Sequence, residues 1–330
     1  MRCSVIGAGA WGTALANLLA SNGHDVTLWA LESEVVESIN TRHINERFLA
    51  GHPLESSLIA TGDLTSAVSR ADFIIAAAPS HALRAVLSTA KSSIDAKTPI
   101  VVATKGIESE TLALMTEVAE QELPQNQIVA ISGPSFAAEV ASRQPTAVVV
   151  ASTNEAIARR AQTLFSTDFF RAYSHTDICG VEIGGSLKNV MAVATGIAEG
   201  LGLGFNARAA LITRGLAEMT RLGVARGAKA STFAGLAGLG DLVLTCTGSL
   251  SRNRSLGMEI GQGRPLDEVL KTRDTVAEGV VTTRSARALA QREGVEMPIV
   301  ETVYRVLFAG QPARDAIGEL MSRELKAENA

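Results

Sequence analysis

The run Gly7-Ala8-Gly9-Ala10-Trp11-Gly12 constrains this chain more than any other stretch. It fits GxGxxG, follows a strand pattern that starts near Cys3, and opens a helix through Thr13-Ala14-Leu15-Ala16. In such a turn the first glycine permits the tight bend and the second lets a pyrophosphate approach the backbone. The third allows close helix-to-strand packing, and the helix N-terminus faces the anion. The spacing therefore predicts a dinucleotide site built on Gly7, Gly9, Ala10, Trp11 and Gly12. Trp11, between two glycines at the start of the helix, is expected to shield the turn or touch the cofactor rather than fill the core. A purely structural glycine turn is the alternative that this context disfavours.

From residue 3 to about 175, short apolar runs alternate with helical stretches: Val5-Ile6, Val26 to Trp29, Phe73 to Ala76, Ile100 to Ala103, Ile128 to Ile131 and Ala147 to Val150. Being apolar on both faces, they suit a parallel sheet covered by helices on each side, an α/β doubly wound Rossmann-like pattern. Ligands of such sheets bind beyond the carboxyl ends of the strands. After about residue 176 helical periodicity takes over. Leu187, Val190, Met191, Ala194 and Ile197 form one stripe, Ile212, Leu216, Met219 and Leu222 another, and both read as core. Gly294 with Pro298, and Gly310-Gln311-Pro312, separate the later helices. A chain of 330 residues exceeds one comfortable core, so we expect a dinucleotide-binding domain over 1–177 and an all-helical substrate and catalytic domain over 178–330.

Composition narrows the partners. Thirty Lys and Arg against 34 Asp and Glu leave a net charge of -4, which offers no global basic excess for nucleic acid. Cys3, Cys179 and Cys246 lie far apart and the five histidines never fall into a ligand spacing, so neither a metal nor a disulfide framework is expected. The absence of a leader pattern or a long apolar run makes a cytoplasmic protein without membrane insertion the expectation.

Cofactor choice in this fold is made near the end of the second strand, here Trp29-Ala30-Leu31-Glu32-Ser33-Glu34. An acid at this place binds the ribose 2'-hydroxyl, whereas a base accommodates a 2'-phosphate. Glu32 offers an acceptor for NAD, yet Glu32 and Glu34 equally fit solvated acids at a helix start. NAD and NADP both stay open.

Other strand ends carry the chemistry. Lys105 follows the Ile100 run and should project at the carboxyl edge of the sheet, able to meet substrate oxygen or phosphate, a solvated loop side chain being the alternative. Ser132-Gly133-Pro134-Ser135-Phe136-Ala137 combines a turn glycine, a Pro at a helix start and free hydroxyls, its N–H groups free to face an anion or Ser132 or Ser135 to cap. Pro79-Ser80 closes a further strand, on the expected nicotinamide side. Gly184-Gly185-Ser186-Leu187-Lys188-Asn189 reads as the beginning of the first long helix of the second half, where Lys188 beside an apolar stripe is a candidate for a desolvated amine of lowered pKa. An ordinary lysine that snorkels is the alternative. Finally, Gly238 to Thr247 delivers Asp241 and Thr245 from a glycine-dense turn, and Ser251-Arg252-Asn253-Arg254 follows. Carboxylate, hydroxyls and phosphate-reading groups in one segment suit a phosphorylated alcohol. Arg254, after the reading pair, is taken as a surface charge.

These blocks, in this order and over nearly the whole length, resemble bacterial NAD(P)-dependent glycerol-3-phosphate dehydrogenase. The resemblance rests on Gly7 to Gly12, Ala103 to Gly106, Ile131 to Ala137, Gly184 to Val190, Asn206 to Met219, Gly235 to Thr247 and Ser251 to Arg254. It implies reversible hydride transfer between sn-glycerol 3-phosphate and dihydroxyacetone phosphate with NAD or NADP, in service of phospholipid synthesis, by a homodimer. It further implies Lys188 as acid/base, with Lys105 and Asp241 at the substrate oxygens. Arg252 and Asn253 then hold the phosphate, Gly133, Ser135 and Ser251 complete the substrate site, and Lys105, Ala137, Arg252, Val276 and Glu278 meet the cofactor. Family members often carry Arg or His where Leu31 stands, a departure that weakens strict dependence on NADPH. A reductase of another hydroxy acid gives no reason for the Asp241 to Asn253 block. A dinucleotide sensor would not require Lys188, Lys105 and Asp241 together.

Overall fold

The computed structural model describes residues 1–273, 278–325 and 327–328. The chain opens β1 (Arg2–Ile6), α1 (Ala10–Ser21), β2 (Asp25–Trp29), α2 (Ser33–Arg42), β3 (Ile59–Thr61), α3 (Leu64–Val68), β4 (Phe73–Ala76), α4 (Leu83–Ala90) and β5 (Ile100–Val102). It continues α5 (Met115–Glu122), β6 (Ile128–Ser132), α6 (Ala137–Ala141), β7 (Thr146–Ala151), α7 (Glu155–Phe165) and β8 (Phe170–His175). The strands form one eight-stranded sheet in the order β3-β2-β1-β4-β5-β6-β7-β8. Connections run outward in opposite directions from β1 and β4, which places the switch point, and hence the crevice, beside the glycine turn. Val5, Ile6, Phe73, Ile74, Ile75, Ile100 and Val101 are fully buried, as strands covered on both faces must be.

Two strands escape the apolar-run reading. β3 is three residues long, and β8 alternates Phe170 and Ala172 inward with Arg171 and Tyr173 outward, the pattern of an edge strand with one wet face. The Ala147 run is a strand, but it pairs antiparallel to β6, Ile131 opposite Val150, while β8 runs parallel to β7.

The second half is helical among the described residues: α8 (Ile178–Gly200), α9 (Phe205–Ala225), α10 (Ala230–Phe233), a π turn over Leu236–Gly240, α11 (Asp241–Thr247) and α12 (Arg252–Gly261). α13 (Leu266–Lys271), α14 (Glu278–Arg292), α15 (Pro298–Phe308) and α16 (Ala313–Met321) complete it. Gly294 and Gly310 take φ of 66° and 69° between these last helices, and Pro298 occupies the first turn of α15, as a left-handed glycine stop and a proline start require.

α8 begins at Ile178, not at Gly184, so the paired glycines lie inside the helix rather than at its start. Interior glycines cost about 1 kcal/mol each relative to Ala; here they permit contact. A Cβ on Gly184 would stand 2.3 Å from the Ala237 carbonyl oxygen, and one on Gly185 2.5 Å from Ser132 Oγ. The sheet's end and the π turn thus both lie against one stretch of α8. Further along, Gly196 and Gly200 face α12, whose Gly257 and Gly261 face back, with Cβ-to-carbonyl distances of 2.1 to 2.3 Å for an added methyl. No alanine fits at these places without separating the helices.

Buried carboxyls join the layers. Glu182 of α8 accepts from the Thr116 amide (2.9 Å) and hydroxyl at the start of α5. Glu218 of α9 accepts from the Ile299 and Val300 amides at the start of α15. Both answer the unpaired N–H groups of a helix N-terminus.

Candidate active site

Three elements bring charge to one point. Lys105 leaves the sheet after β5 in a turn held by Thr104, whose hydroxyl donates to the Ala78 carbonyl at 2.6 Å. Next to it, Gly106 has φ of 157°, and an added Cβ there would stand 2.8 Å from Ser80 Cβ. Ser186 of α8 accepts from the Gly106 amide and donates to its carbonyl, both at 3.0 Å. That pair of bonds ties the Lys105 turn to the helix that carries Lys188 two residues later. Asp241 arrives as the first residue of α11 after the π turn, which Gly184 and Gly238 allow to press against α8 and α10. π turns of this kind commonly mark functional sites.

Asp241 is fully buried and stands between the two amines. Lys105 Nζ donates to Oδ2 at 2.6 Å and Lys188 Nζ to Oδ1. Thr245, one turn on, donates to the Asp241 carbonyl at 2.7 Å, and Lys105 also reaches the Gly133 carbonyl at 3.5 Å. Burial pushes the Lys188 ammonium down from 10.5 to about 8; the charge of Lys105 acts the same way and the Asp241 carboxylate opposes both. Burial alone would raise the Asp241 carboxyl, but the two lysines outweigh it and hold it below its usual range. Lys188 is therefore a desolvated amine that titrates near physiological pH, not a snorkelling surface lysine.

Around this centre the other candidates take definite places. Gly133 has φ of 140° and lies against Val148 of β7, where a Cβ would come within 2.9 Å of the backbone. Ser135 donates to the Gly133 carbonyl at 2.9 Å. Neither Ser132 nor Ser135 caps α6: the cap position is Phe136 without a side-chain bond, and Ser132 Oγ is buried without a partner among the described residues. Ala137 opens α6, which packs on α1. Ser251 is the side-chain cap of α12, accepting from the Arg254 amide at 3.3 Å, and thereby presents Arg252 and Asn253 in the first turn. Arg252 is exposed. Asn253 donates to Asn189 Oδ1 at 3.0 Å and accepts from the Gly279 amide at 3.0 Å, linking α12 to α8 and α14.

Arg254 departs from its reading as a surface charge. Its side chain is 12% exposed and bridges Glu199 at the end of α8 and the Gly248 carbonyl, while Glu199 also holds Arg208 at 2.9 Å. It is a bolt between helices. Glu278 begins α14 and accepts from the Ser80 hydroxyl at 2.8 Å, across from the helical half to the sheet. Burial raises its carboxyl despite the Ser80 bonds and the charge of the Arg252 guanidinium. Val276 lies outside the described residues.

At the glycine turn, the three glycines differ. Gly7 needs φ of 111°, and a Cβ on Gly12 would stand 1.9 Å from the Gly7 carbonyl oxygen, so both serve the fold. A Cβ on Gly9 would meet nothing within 4 Å. The chain leaves that space open at a helix N-terminus, which fits the diphosphate of a dinucleotide. Trp11 packs partly buried against the core of the sheet half, with its indole N–H buried and without a partner among the described residues. At the end of β2, Glu34 is taken by Arg47, whereas Glu32 holds the cap position of α2 without a side-chain cap bond and Leu31 is 79% exposed. Among the described residues no cluster of three or more His, Cys, Asp or Glu could hold a metal, and no helix is long and apolar enough to cross a membrane.

A doubly wound sheet with an open glycine turn, faced across its crevice by a buried Lys-Asp-Lys centre, defines a dinucleotide-dependent oxidoreductase. Family models narrow this further. Those for the N-terminus and C-terminus of NAD-dependent glycerol-3-phosphate dehydrogenase match residues 2–158 and 177–318, and the chain belongs to that family. It is 54% identical over 330 residues to a glycerol-3-phosphate dehydrogenase [NAD(P)+] of Geobacter sp. (strain M21), covering 99% of this chain and 98% of the relative. The Myxococcus xanthus enzyme of the same name is 51% identical over 333 residues, 100% of this chain and 99% of the relative. The crystal structure of glycerol-3-phosphate dehydrogenase from Coxiella burnetii superposes with a TM-score of 0.94 at 43% identity, covering 98% of this chain and 99% of that one.

Proposed function

We propose that this protein is an NAD(P)-dependent sn-glycerol-3-phosphate dehydrogenase in which Lys188 is the acid/base, and the observation that carries the residue roles is the Lys105-Asp241-Lys188 centre. The reaction is reversible hydride transfer between glycerol 3-phosphate and dihydroxyacetone phosphate. A bound nicotinamide dinucleotide supplies or takes the hydride; Gly7, Gly9, Ala10, Trp11, Gly12 and Ala137 on the sheet side, with Lys105, Arg252, Val276 and Glu278, are the residues proposed to hold it. In reduction, the Lys188 ammonium donates its proton to the ketone oxygen as negative charge develops there. In oxidation, the neutral amine removes the hydroxyl proton. A pKa of about 8 keeps both forms within reach near neutrality.

Asp241 orients Lys188 and keeps it protonated against desolvation. Lys105, on the same carboxylate, adds a fixed positive charge beside the reacting oxygen. Arg252 supplies planar donors to the phosphate. Asn253 commits one amide hydrogen to Asn189 and has a second for the same ligand, and Gly133, Ser135 and Ser251 line the remainder. The division into 1–177 and 178–330, a cytoplasmic location and service to phospholipid synthesis belong to the same proposal. So does a homodimer; the mass in solution tests it.

The deciding experiment is the initial rate of dihydroxyacetone phosphate reduction with NADH and NADPH in parallel, on the native protein and Lys188→Ala. Turnover that collapses in the variant while NADH still binds is the expected outcome. Unchanged turnover removes Lys188 from the acid/base role, and no turnover by the native protein despite cofactor binding rejects the substrate. The NADH to NADPH ratio reports on Leu31 and Glu32.

A further inference from the structure

Asn45 lies in the loop after α2, outside every motif considered above, yet it is 1% exposed. Its Nδ2 donates to the Ala8 carbonyl at 2.9 Å and to Thr13 Oγ1 at 2.8 Å, and its Oδ1 accepts from the Phe48 amide at 3.2 Å. Thr13, fully buried in α1, donates its hydroxyl to the same Ala8 carbonyl at 3.0 Å. Two side-chain donors thus converge on one carbonyl inside the glycine turn.

A trans peptide is planar, with its C=O and N–H pointing opposite ways, and no peptide among the described residues is cis. Fastening the Ala8 oxygen inward therefore turns the Gly9 N–H outward, to the side where a Cβ on Gly9 would meet nothing. An anion site at a helix N-terminus works only if N–H groups face the ligand and carbonyl oxygens do not. We propose that Asn45 and Thr13 are positioning residues that set the polarity of the diphosphate site by locking the Ala8 carbonyl away from it. The inference rests on the reading that the dinucleotide diphosphate sits at Gly9.

Titration calorimetry with NADH and, separately, ADP-ribose, which carries the diphosphate without the nicotinamide, tests this on the full-length protein. Asn45→Ala and Thr13→Val should each weaken both ligands by about tenfold, the scale of one or two lost hydrogen bonds. Thr13→Ser, which keeps the hydroxyl, should bind within about threefold of native. Because both groups act on one oxygen, the double variant should lose less than the product of the single losses. In steady state the loss should fall on KM for NADH and not on kcat, a split that a general loosening of the fold does not produce. Native affinity in folded Thr13→Val, or a loss confined to NADH, overturns the proposal; if Asn45→Ala fails to fold, the Thr13 pair decides alone. Gly9→Val separates the premise from the inference: native affinity in that variant means the diphosphate binds elsewhere, whereas its loss alongside native affinity in Thr13→Val refutes the positioning role alone.

Discussion

Replacing Asp241 by Asn keeps the shape of the side chain and removes only its charge, leaving two amines around a neutral amide. In the native centre the carboxylate contacts Lys105 Nζ at 2.6 Å and Lys188 Nζ on its other oxygen. Loss of one partner from a buried pair costs about 3 to 5 kcal/mol, equivalent to roughly two to four pKa units. Lys188, which starts near 8, should therefore titrate around pH 5 in the variant. At neutral pH the ammonium then falls to somewhere between roughly a few percent and a few tenths of a percent of the amine. With Lys188 as the proposed acid, ketone reduction should slow by between about tenfold and several hundredfold at pH 7. The residual rate should climb as the pH is lowered toward 5. The assay is kcat for dihydroxyacetone phosphate reduction at saturating NADH, from about pH 5 to about pH 9. In the native protein the rate should decline through pH 8 as the acid form is lost, and the reverse reaction should rise over the same interval. A basic limb that stays near pH 8 in Asp241→Asn would refute the electrostatic account of this centre.

Arg252→Ala should raise KM for the phosphorylated substrate by roughly 10- to 100-fold at saturating NADH, the scale of charge-assisted hydrogen bonds; an unaltered dependence of the rate on dihydroxyacetone phosphate concentration would contradict the clamp. Gly257→Ala places a methyl 2.2 Å from the Val193 carbonyl oxygen and should destabilise by about 1 to 3 kcal/mol or more, visible as a lowered Tm, whereas Gly9→Ala, with open space around it, should not. Burial raises the Glu182 carboxyl from 4.5 to about 8 against its Thr116 bonds. The folded chain thus holds a proton that the unfolded chain releases, and the stability this confers is present at low pH and fades as pH rises to about 8. Glu182→Gln removes that slope, so its Tm relative to native should improve from pH 5 to pH 8; a constant difference would show that Glu182 does not titrate there.

Periodicity disclosed the sheet wherever strands are buried on both faces, because a continuous apolar run of Val and Ile has few other uses. It missed β8, whose Arg171 and Tyr173 face outward, and it was blind to the direction of β7, since a doubly buried strand looks alike whichever way it runs. At the site, the residue types around Lys105, Lys188 and Asp241 were legible one by one. Their convergence was not, for Lys105 and Asp241 lie 136 positions apart and Lys188 and Asp241 53. The extension of α8 back to Ile178 was hidden by Gly184 and Gly185, whose low helix propensity is overridden by the packing they permit. Arg254 read as solvated because nothing local marks Glu199 as its partner. Asn45 carried a weak signal only: a polar residue in a polar loop, whose reach into the glycine turn is set by tertiary structure.

The glycines that seat α12 on α8 have a consequence for what the protein can measure. Lys188 and Asn189 project from α8, and Arg252 and Asn253 from the first turn of α12; the two helices touch backbone to backbone and are bolted by Arg254 to Glu199. Any hinge movement between the sheet and the helices carries both ends together, so their separation is a constant of the molecule. With Lys188 as the proposed acid at one end and Arg252 as the proposed phosphate grip at the other, the pair acts as a fixed gauge for the length of carbon chain between carbonyl and phosphate.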